Sequence, residues 1–131
     1  MIFADTSAFV ALLNASDEFH SAARVIWERQ TSDAGNLATT NYIALETIAV
    51  LQRRIGIEAA RDFCEALLPV VSVSYVDQSL HEAAWNFLLV ENRRKLSLVD
   101  CTSFIYMRRN GIERAFSFDE DFEAFGFRKM E

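Results

Sequence analysis

The chain has 131 residues, 51% apolar and 24% charged, with four glycines and one proline; this composition excludes a disordered or fibrous chain and fits a single domain over residues 1–131. The net charge is −6, from 13 basic and 19 acidic residues, which argues against a nucleic-acid partner unless some acids bind metal ions. The N-terminus lacks the basic segment and apolar core of a signal peptide, and Pro69 and serines interrupt the most apolar stretch. We therefore expect a cytoplasmic protein with no membrane segment.

The first half of the chain alternates short apolar strands with helices. The uninterrupted apolar run Ile2–Ala4 predicts a short, fully buried strand of the kind found in parallel sheets. A short helix over Ser7–Asn14 follows, and Ser16 is the predicted N-cap of a second helix. Residues 35–41 predict a weakly marked strand, and Tyr42–Arg54 predicts a helix with a wide apolar face.

The second half continues the alternation. The predicted elements are, in order, a helix over Ile57–Leu68, a strand over residues 70–76, a helix capped by Asp77 that runs to about Asn92, a helix capped by Ser97 that ends at Gly111, and, over residues 114–131, a strand, a short helix and an edge strand from about Phe127. Strands that alternate with helices predict right-handed crossovers and a parallel sheet between helical layers, which is an α/β fold.

Four acids are expected at one edge of this sheet. Asp5 and Asp119 each end a predicted strand, and the functional crevice of open α/β sheets lies beyond the carboxyl ends of the strands. Glu46 lies one turn into a helix that follows a strand, and Asp100 lies in the first turn of the helix capped by Ser97. Because aspartate is among the poorest strand formers, Asp5 is the hardest of the four to explain by structure alone.

The other acids have structural explanations too. Asp100 completes a Ser97-x-x-Asp100 pattern close to a capping box, Glu46 fits an exposed helix position, and Asp119 and Asp121 fit turns. As a group, however, several carboxylates in a small volume stay ionised only if cations compensate them. Mg²⁺ and Mn²⁺ are the ions that prefer such oxygen ligands.

A divalent ion at these acids can activate water for attack on a phosphodiester, which is nuclease chemistry. The sequence contains no G-x-S-x-G motif and no catalytic-looking Cys and His pair, so no nucleophilic side chain competes with this hypothesis. Two alternatives stay open. One is an Asp-based phosphatase or phosphoacceptor, although Ser7 stands where a second aspartate would be needed; the other is a non-catalytic module that binds RNA or protein.

Three segments together resemble a known family. They are MIFADTSAFVALLN at the start, NYIALETIAVLQRR around Glu46, and RKLSLVDCTSFIYMRRNGIERAFSFDEDFEAFGF at the end. In this order and spacing they resemble the PIN-domain ribonucleases, in particular VapC-type toxins of toxin-antitoxin pairs, over nearly the whole chain. The resemblance implies a three-layer α/β/α sandwich with a short, mostly parallel central sheet. It also implies Mg²⁺- or Mn²⁺-dependent endonucleolytic cleavage of RNA, a homodimer and a small antitoxin partner.

The resemblance also assigns site residues. The family's acidic quartet is matched by Asp5, Glu46, Asp100 and Asp119, with Asp121 as an extra ligand or outer acid and Ser7 and Ser117 as supporting hydroxyls. In that pattern Asp5, Asp100 and Asp119 hold the metal, and Glu46 completes the shell. Phe118 departs from the family, in which small residues are common at that position.

Some further side chains have two open interpretations. The cations Arg53, Arg54, Arg93, Arg94 and Lys95 either contact RNA phosphates or solvate the surface. The apolar residues Ala8, Phe9, Leu12, Leu13, Phe19 and Trp27 either pack in the core or form a face for a partner. Cys64 and Cys101 lack metal or redox spacing and are predicted to be buried, reduced thiols.

Overall fold

Five short strands form a parallel sheet at the centre of the fold. The computed structural model describes residues 1–33 and 35–131. The strands are β1 (Ile2–Ala4), β2 (Leu37–Thr40), β3 (Ser72–Ser74), β4 (Arg114–Phe116) and β5 (Arg128–Lys129). Their order is β3-β2-β1-β4-β5 and every neighbouring pair is parallel, which confirms the predicted α/β class.

Helices connect the strands. They are α1 (Thr6–Leu13), α2 (His20–Thr31), α3 (Asn41–Arg54), α4 (Ile57–Asp62), α5 (Gln78–Glu91), α6 (Leu98–Arg109) and α7 (Asp121–Ala124). None of the helices described is both long and apolar enough to cross a membrane.

The central strand β1 sets the position of the site. All three of its residues are fully buried, because the sheet is covered on both faces and a parallel strand in that position is apolar throughout. Ile2 lies beside Leu37 of β2 and Arg114 of β4, and Ala4 lies beside Phe116. The residues that follow β1 and β4 therefore leave the sheet side by side.

Polar side chains begin the helices that follow the strands. Asp5, Thr40 and Asp77 accept backbone N–H groups in the first turns of α1, α3 and α5, and Ser97 does so for α6. These bonds satisfy N–H groups that have no partner within the helix. The predicted caps Asp77 and Ser97 are confirmed.

The predicted start of α2 is wrong. The helix begins at His20, and Ser16 is not its N-cap. The side chain of Asn14 accepts the N–H of Ser16 (3.1 Å), and the side chain of Asp17 accepts the N–H of Phe19 (2.8 Å). Such local bonds offer the backbone an alternative to the helix, so residues 14–19 form a turn before α2.

The helix predicted over Ile57–Leu68 changes its hydrogen-bond pattern after Asp62. A π-helical turn over Phe63–Leu67 and a 3₁₀ turn over Leu68–Val70 follow α4. Pro69 explains the change, because it has no N–H to continue an α-helical ladder. In this turn Phe63 is buried and Cys64 is exposed, so the prediction of a buried Cys64 is wrong. Cys101 is buried, as predicted.

The aromatic residues mostly fill the core. Ala8 and Phe9 are fully buried, and the ring of Phe9 meets that of Phe63 edge-on at 4.9 Å, so these two do not belong to a partner face. Phe104 packs against Phe122 near the last strand. Phe19 differs from these rings, since 39% of it is exposed.

Candidate active site

The predicted acidic quartet lines one cleft beyond the carboxyl ends of β1 and β4. The cleft has a volume of about 350 Å³, and Asp5, Glu46, Asp100 and Asp119 all border it. Four different segments supply these acids: the end of β1, the helix α3, the first turn of α6 and the loop after β4. The parallel pairing of β1 with β4 and β2 brings those segments to the same edge of the sheet.

Asp5 is the most buried acid of the cleft, with 5% of its surface exposed. Its Oδ2 atom accepts hydrogen bonds from the backbone N–H of Ser7 (3.4 Å), the Ser7 hydroxyl (2.9 Å) and the Ser117 hydroxyl (3.0 Å). All three bonds are made to Oδ2, so Oδ1 takes none of them. Burial, with a smaller contribution from the charge of Asp100, raises the pKa of Asp5 to about 6, while the hydrogen bonds from Ser7 and Ser117 oppose this rise.

Ser7 and Ser117 connect the two loops that carry Asp5 and Asp119. The Ser7 hydroxyl accepts the N–H of Phe118 (2.9 Å), and the Ser117 hydroxyl accepts the N–H of Asp119 (3.0 Å). Each serine therefore holds the Asp5 carboxylate with its proton and fixes the β4–α7 loop with its oxygen. Ser7 itself lines the cleft, whereas Ser117 is buried and contacts Asp5 from outside the cleft wall.

Asp100 completes a capping box and also lies in the wall of the acidic cleft. Its Oδ2 atom accepts the N–H of Ser97 (3.1 Å) while the Ser97 hydroxyl accepts the N–H of Asp100 (3.1 Å), which is a complete capping box. The same carboxylate also lines the acidic cleft. Burial raises its pKa, as do the charges of Asp119 and Glu46, while the bonds from Ser97 lower it.

Asp119 and Asp121 share a tight turn. Asp119 Oδ1 accepts the N–H of Asp121 (2.9 Å). One oxygen from each of Asp100, Asp119 and Asp121 lies within 4.8 Å of the other two. Burial raises the pKa of Asp121, the charge of Asp119 adds to this effect, and Arg93 opposes it.

Glu46 faces the cleft from α3 and is half-buried. The next residue, Thr47, is fully buried and donates a hydrogen bond from its hydroxyl to that of Thr6 (3.1 Å). This contact ties α3 to the first residue of α1, directly after Asp5. The distance between the Glu46 and Asp5 segments is thus fixed by a buried polar contact that the sequence pattern did not reveal.

The five predicted phosphate-binding cations do not share one place. Arg54 lines the acidic cleft, whereas Arg53, Arg94 and Lys95 are exposed and are not part of its wall. Arg93 pairs with Glu91 (3.5 Å), and its guanidinium lies 5.1 Å over the ring of Phe125. Of these five cations, Arg54 is the one that borders the cleft.

The cleft fits a hard divalent cation. In residues 1–33 and 35–131, no ion pair joins a Lys or Arg to any of the five acids Asp5, Glu46, Asp100, Asp119 and Asp121. The available donors are carboxylate oxygens. An octahedral Mg²⁺ with ligands at about 2.1 Å spans about 4.2 Å between opposite ligands, which the spacing of Asp100, Asp119 and Asp121 accommodates with little movement.

A parallel sheet of five short strands, with an acidic cleft at the carboxyl end of its central strand, is the arrangement of an α/β protein with a candidate metal site. The chain belongs to the PIN domain family, whose model matches residues 2–128.

Within that family, the chain is similar to the 23S rRNA-specific endonuclease VapC20 of two Mycobacterium tuberculosis strains. The identity is 42% over 128 residues, which cover 97% of this chain and 95% of the relative. The crystal structure of M. tuberculosis VapC20, described as a sarcin-ricin loop cleaving toxin, superposes with a TM-score of 0.87 at 41% identity and covers 97% of this chain and 96% of that one.

A more distant structure shares the fold alone. FitAcB from Neisseria gonorrhoeae has a TM-score of 0.71 at 10% identity, covering 100% of this chain and 97% of that chain. Together these matches agree with the resemblance seen in the three sequence segments.

Several residues of the cleft wall, among them Asp17 and Phe19, were not predicted from the sequence as site residues. Asp17 and Phe19 belong to the turn between α1 and α2, and both border the acidic cleft. The signal that could have found them is the Asn14 and Asp17 turn pattern, which stops α2 from starting early and leaves residues 14–19 beside the site.

Proposed function

We propose that this chain is a metal-dependent endoribonuclease and the toxin of a toxin-antitoxin pair. The observation that carries the proposal is the cleft lined by four carboxylates in a chain 42% identical, over nearly its full length, to a 23S rRNA-specific endonuclease. The substrate is RNA, and by likeness to the relative we expect a 23S rRNA target, at the sarcin-ricin loop.

Asp5, Asp100 and Asp119 would hold Mg²⁺ or Mn²⁺, with Asp121 as a fourth acid within reach. A bound divalent ion would supply a Lewis acid that lowers the pKa of water and offsets charge on the phosphate. In Asp5, Asp100 and Asp119, one oxygen is engaged by backbone or hydroxyl donors. These donors orient each carboxylate and leave its second oxygen to bind a ligand.

Glu46 lies on α3 and borders the same cleft, and it would accept the proton of the attacking water. Ser7 and Ser117 would keep the Asp5 carboxylate in one orientation. Arg54 would bind a phosphate next to the scissile bond. In-line attack by water would leave a 5′-phosphate and a 3′-hydroxyl.

The proposed partners follow from the same likeness. A relative described as a toxin supports a small antitoxin as the partner of this chain. An apolar cavity of about 480 Å³ beside Glu46, lined by Leu45, Leu98 and Val99, supports a homodimer that covers it, since Leu45 is 69% exposed. Both the RNA target and the antitoxin would be met in the cytoplasm.

The test is incubation of the purified protein with total RNA in Mg²⁺, in Mn²⁺ and in EDTA, followed by mapping of the cut ends. We expect discrete cuts with 5′-phosphate ends in either metal, none in EDTA, and none with Asp119→Asn. Binding of RNA without any cut would favour the non-catalytic alternative. A phosphorylated Asp5 recovered after incubation with a phosphodonor would favour the phosphoacceptor.

A further inference from the structure

Phe19 and Phe118 form a stacked aromatic pair in the wall of the acidic cleft. Their ring centroids are 4.6 Å apart and their planes differ by 7°. Both residues border the same cleft as Asp5, Asp100 and Asp119. Phe118 directly precedes Asp119 in the sequence.

The backbone on each side of the stack is fixed by hydrogen bonds. The N–H of Phe118 donates to the hydroxyl of Ser7 (2.9 Å), and that hydroxyl in turn holds Asp5. The N–H of Phe19 donates to Asp17 (2.8 Å) in the turn before α2. The stack therefore has a fixed position relative to the carboxylates, and it bridges two loops that are about 100 residues apart in sequence.

Core packing does not explain the exposure of Phe19. A ring needed only for the core is covered, as Phe116 is, whereas 39% of Phe19 is exposed at the rim of a polar cleft. Part of its surface contacts Phe118, and Phe19 borders the same cleft as the acids, so its exposed part is available beside them. Planar rings at such a place are the usual partners of unstacked nucleobases, because every base has a π-face.

We propose that the Phe19–Phe118 stack is a nucleobase platform that receives the base of a nucleotide adjacent to the scissile phosphate. This inference rests on the proposed function and adds to it the part of the RNA that the chain binds, which is the base of that nucleotide. Arg54 borders the same cleft and binds the phosphate next to the scissile bond, while the base stacks on the ring of Phe19. Because a stack tolerates any base, the platform positions an unpaired nucleotide without selecting its identity.

The test uses an RNA hairpin that spans a cut site mapped with total RNA. Wild type, Phe19→Leu, Phe19→Trp and Phe118→Leu are compared by kcat and KM, and thermal melting checks that each variant is folded. Tyr75→Leu is the matched control, since Tyr75 is an aromatic residue that is 82% exposed and lies outside the acidic cleft. A second set of hairpins carries an abasic nucleotide on either side of the cut.

Loss of one base stack predicts that Phe19→Leu raises KM about tenfold and leaves kcat unchanged. Phe118→Leu raises KM in the same direction, Phe19→Trp restores wild-type KM, and Tyr75→Leu has no effect. One abasic hairpin raises the KM of wild type by a similar factor and does not raise that of Phe19→Leu any further.

The platform is overturned, while the nuclease proposal stands, if folded Phe19→Leu has an unchanged KM. It is also overturned if the increases in KM caused by Phe19→Leu and by the abasic nucleotide multiply when the two are combined. The platform also fails if neither abasic position affects wild type. Wild type that cuts no RNA overturns both proposals.

Discussion

Ser117 donates a hydrogen bond from its hydroxyl to the carboxylate of Asp5 (3.0 Å), although the two residues are 112 positions apart in the sequence. The contact exists because β1 and β4 are parallel neighbours, with Ala4 beside Phe116, so that the next residue of each strand reaches the same point. A hydroxyl donor at this place stabilises the ionised form of a buried carboxylate. The bond from Ser117 thereby offsets part of the rise that burial causes in the pKa of Asp5.

Removal of that donor should raise the pKa of Asp5 above its value of about 6. In Ser117→Ala the carboxylate keeps its burial and loses a bond that favours its charged form. The measurement is a carboxyl-carbon NMR titration of metal-free protein. Ser16→Ala is the control, because Ser16 is exposed in the turn before α2 and should leave the titration unchanged.

Asp5→Asn should stabilise the metal-free protein above about pH 6 and abolish cleavage. The folded-state pKa of about 6 lies above the ordinary value of 3.8, so the folded state holds a proton that the unfolded state has released between these values. Stability from Asp5 is therefore complete below about pH 4 and is lost as pH rises through 6. Ionisation of Asp5 costs about 3 kcal/mol more in the folded state than in the unfolded state. Asparagine does not ionise, so the variant does not carry this cost.

Urea unfolding in EDTA at about pH 4 and about pH 8 checks this prediction. Wild type and Asp5→Asn should have similar free energies of unfolding at the lower pH, and the variant should be the more stable at the higher pH. A variant that is less stable than wild type at both values would show that the carboxylate is held mainly by its hydrogen bonds.

Asp100→Asn and Ser97→Ala should separate the capping role of Asp100 from its proposed role as a metal ligand. Asparagine keeps an acceptor for the Ser97 N–H, so the capping box survives in part while the charge needed for metal is lost. We expect Asp100→Asn to stop cleavage with little change in melting temperature. Ser97→Ala removes the cap from α6 and should cost about 1 kcal/mol of stability while cleavage persists. Equal loss of activity in both variants would show that the cap orientates the catalytic carboxylate.

The sequence was sufficient for the features that depend on local rules. Asp5 after an apolar strand, and Ser97 and Asp77 before apolar helices, follow from short patterns of burial and capping, and the structure has those elements. That Asp5 and Asp119 would meet also follows, because parallel strands end at one edge of a sheet. The catalytic roles of these acids remain predictions.

The remaining features depend on contacts between distant segments. The bond from Ser117 to Asp5 and the bond between Thr47 and Thr6 are set by strand order and helix packing, which no local pattern encodes. The late start of α2 comes from the side chains of Asn14 and Asp17, which bind backbone N–H groups in the turn before the helix. That turn also places Phe19 in the cleft wall. The exposure of Cys64 comes from the π-helical turn that follows α4.

Asp121 should contribute to metal affinity. Its oxygen lies within 4.8 Å of oxygens from Asp100 and Asp119, so a bound ion would be shared by three carboxylates. Ligand binding raises stability by RT ln(1 + [L]/Kd), about 2.7 kcal/mol at a hundredfold excess over Kd. Thermal melting with increasing Mg²⁺ should therefore show a smaller shift for Asp121→Asn than for wild type. Glu120→Gln, an exposed neighbour, should match wild type, and equal shifts in all three proteins would exclude Asp121 from the site.

Arg54 and Arg53 are adjacent cations that should differ in their effect on RNA binding. Arg54 borders the acidic cleft, whereas Arg53 is exposed outside it. Each lost phosphate contact lowers the slope of log K against log salt by about 1 and weakens binding to all sequences alike. Binding of the mapped hairpin to an Asp119→Asn background, measured over a range of salt, should show this change for Arg54→Gln and not for Arg53→Gln. If both variants lower the slope equally, the RNA phosphates contact the outer surface of α3 as well. In that case the phosphate that the acidic cleft binds is the reacting one alone.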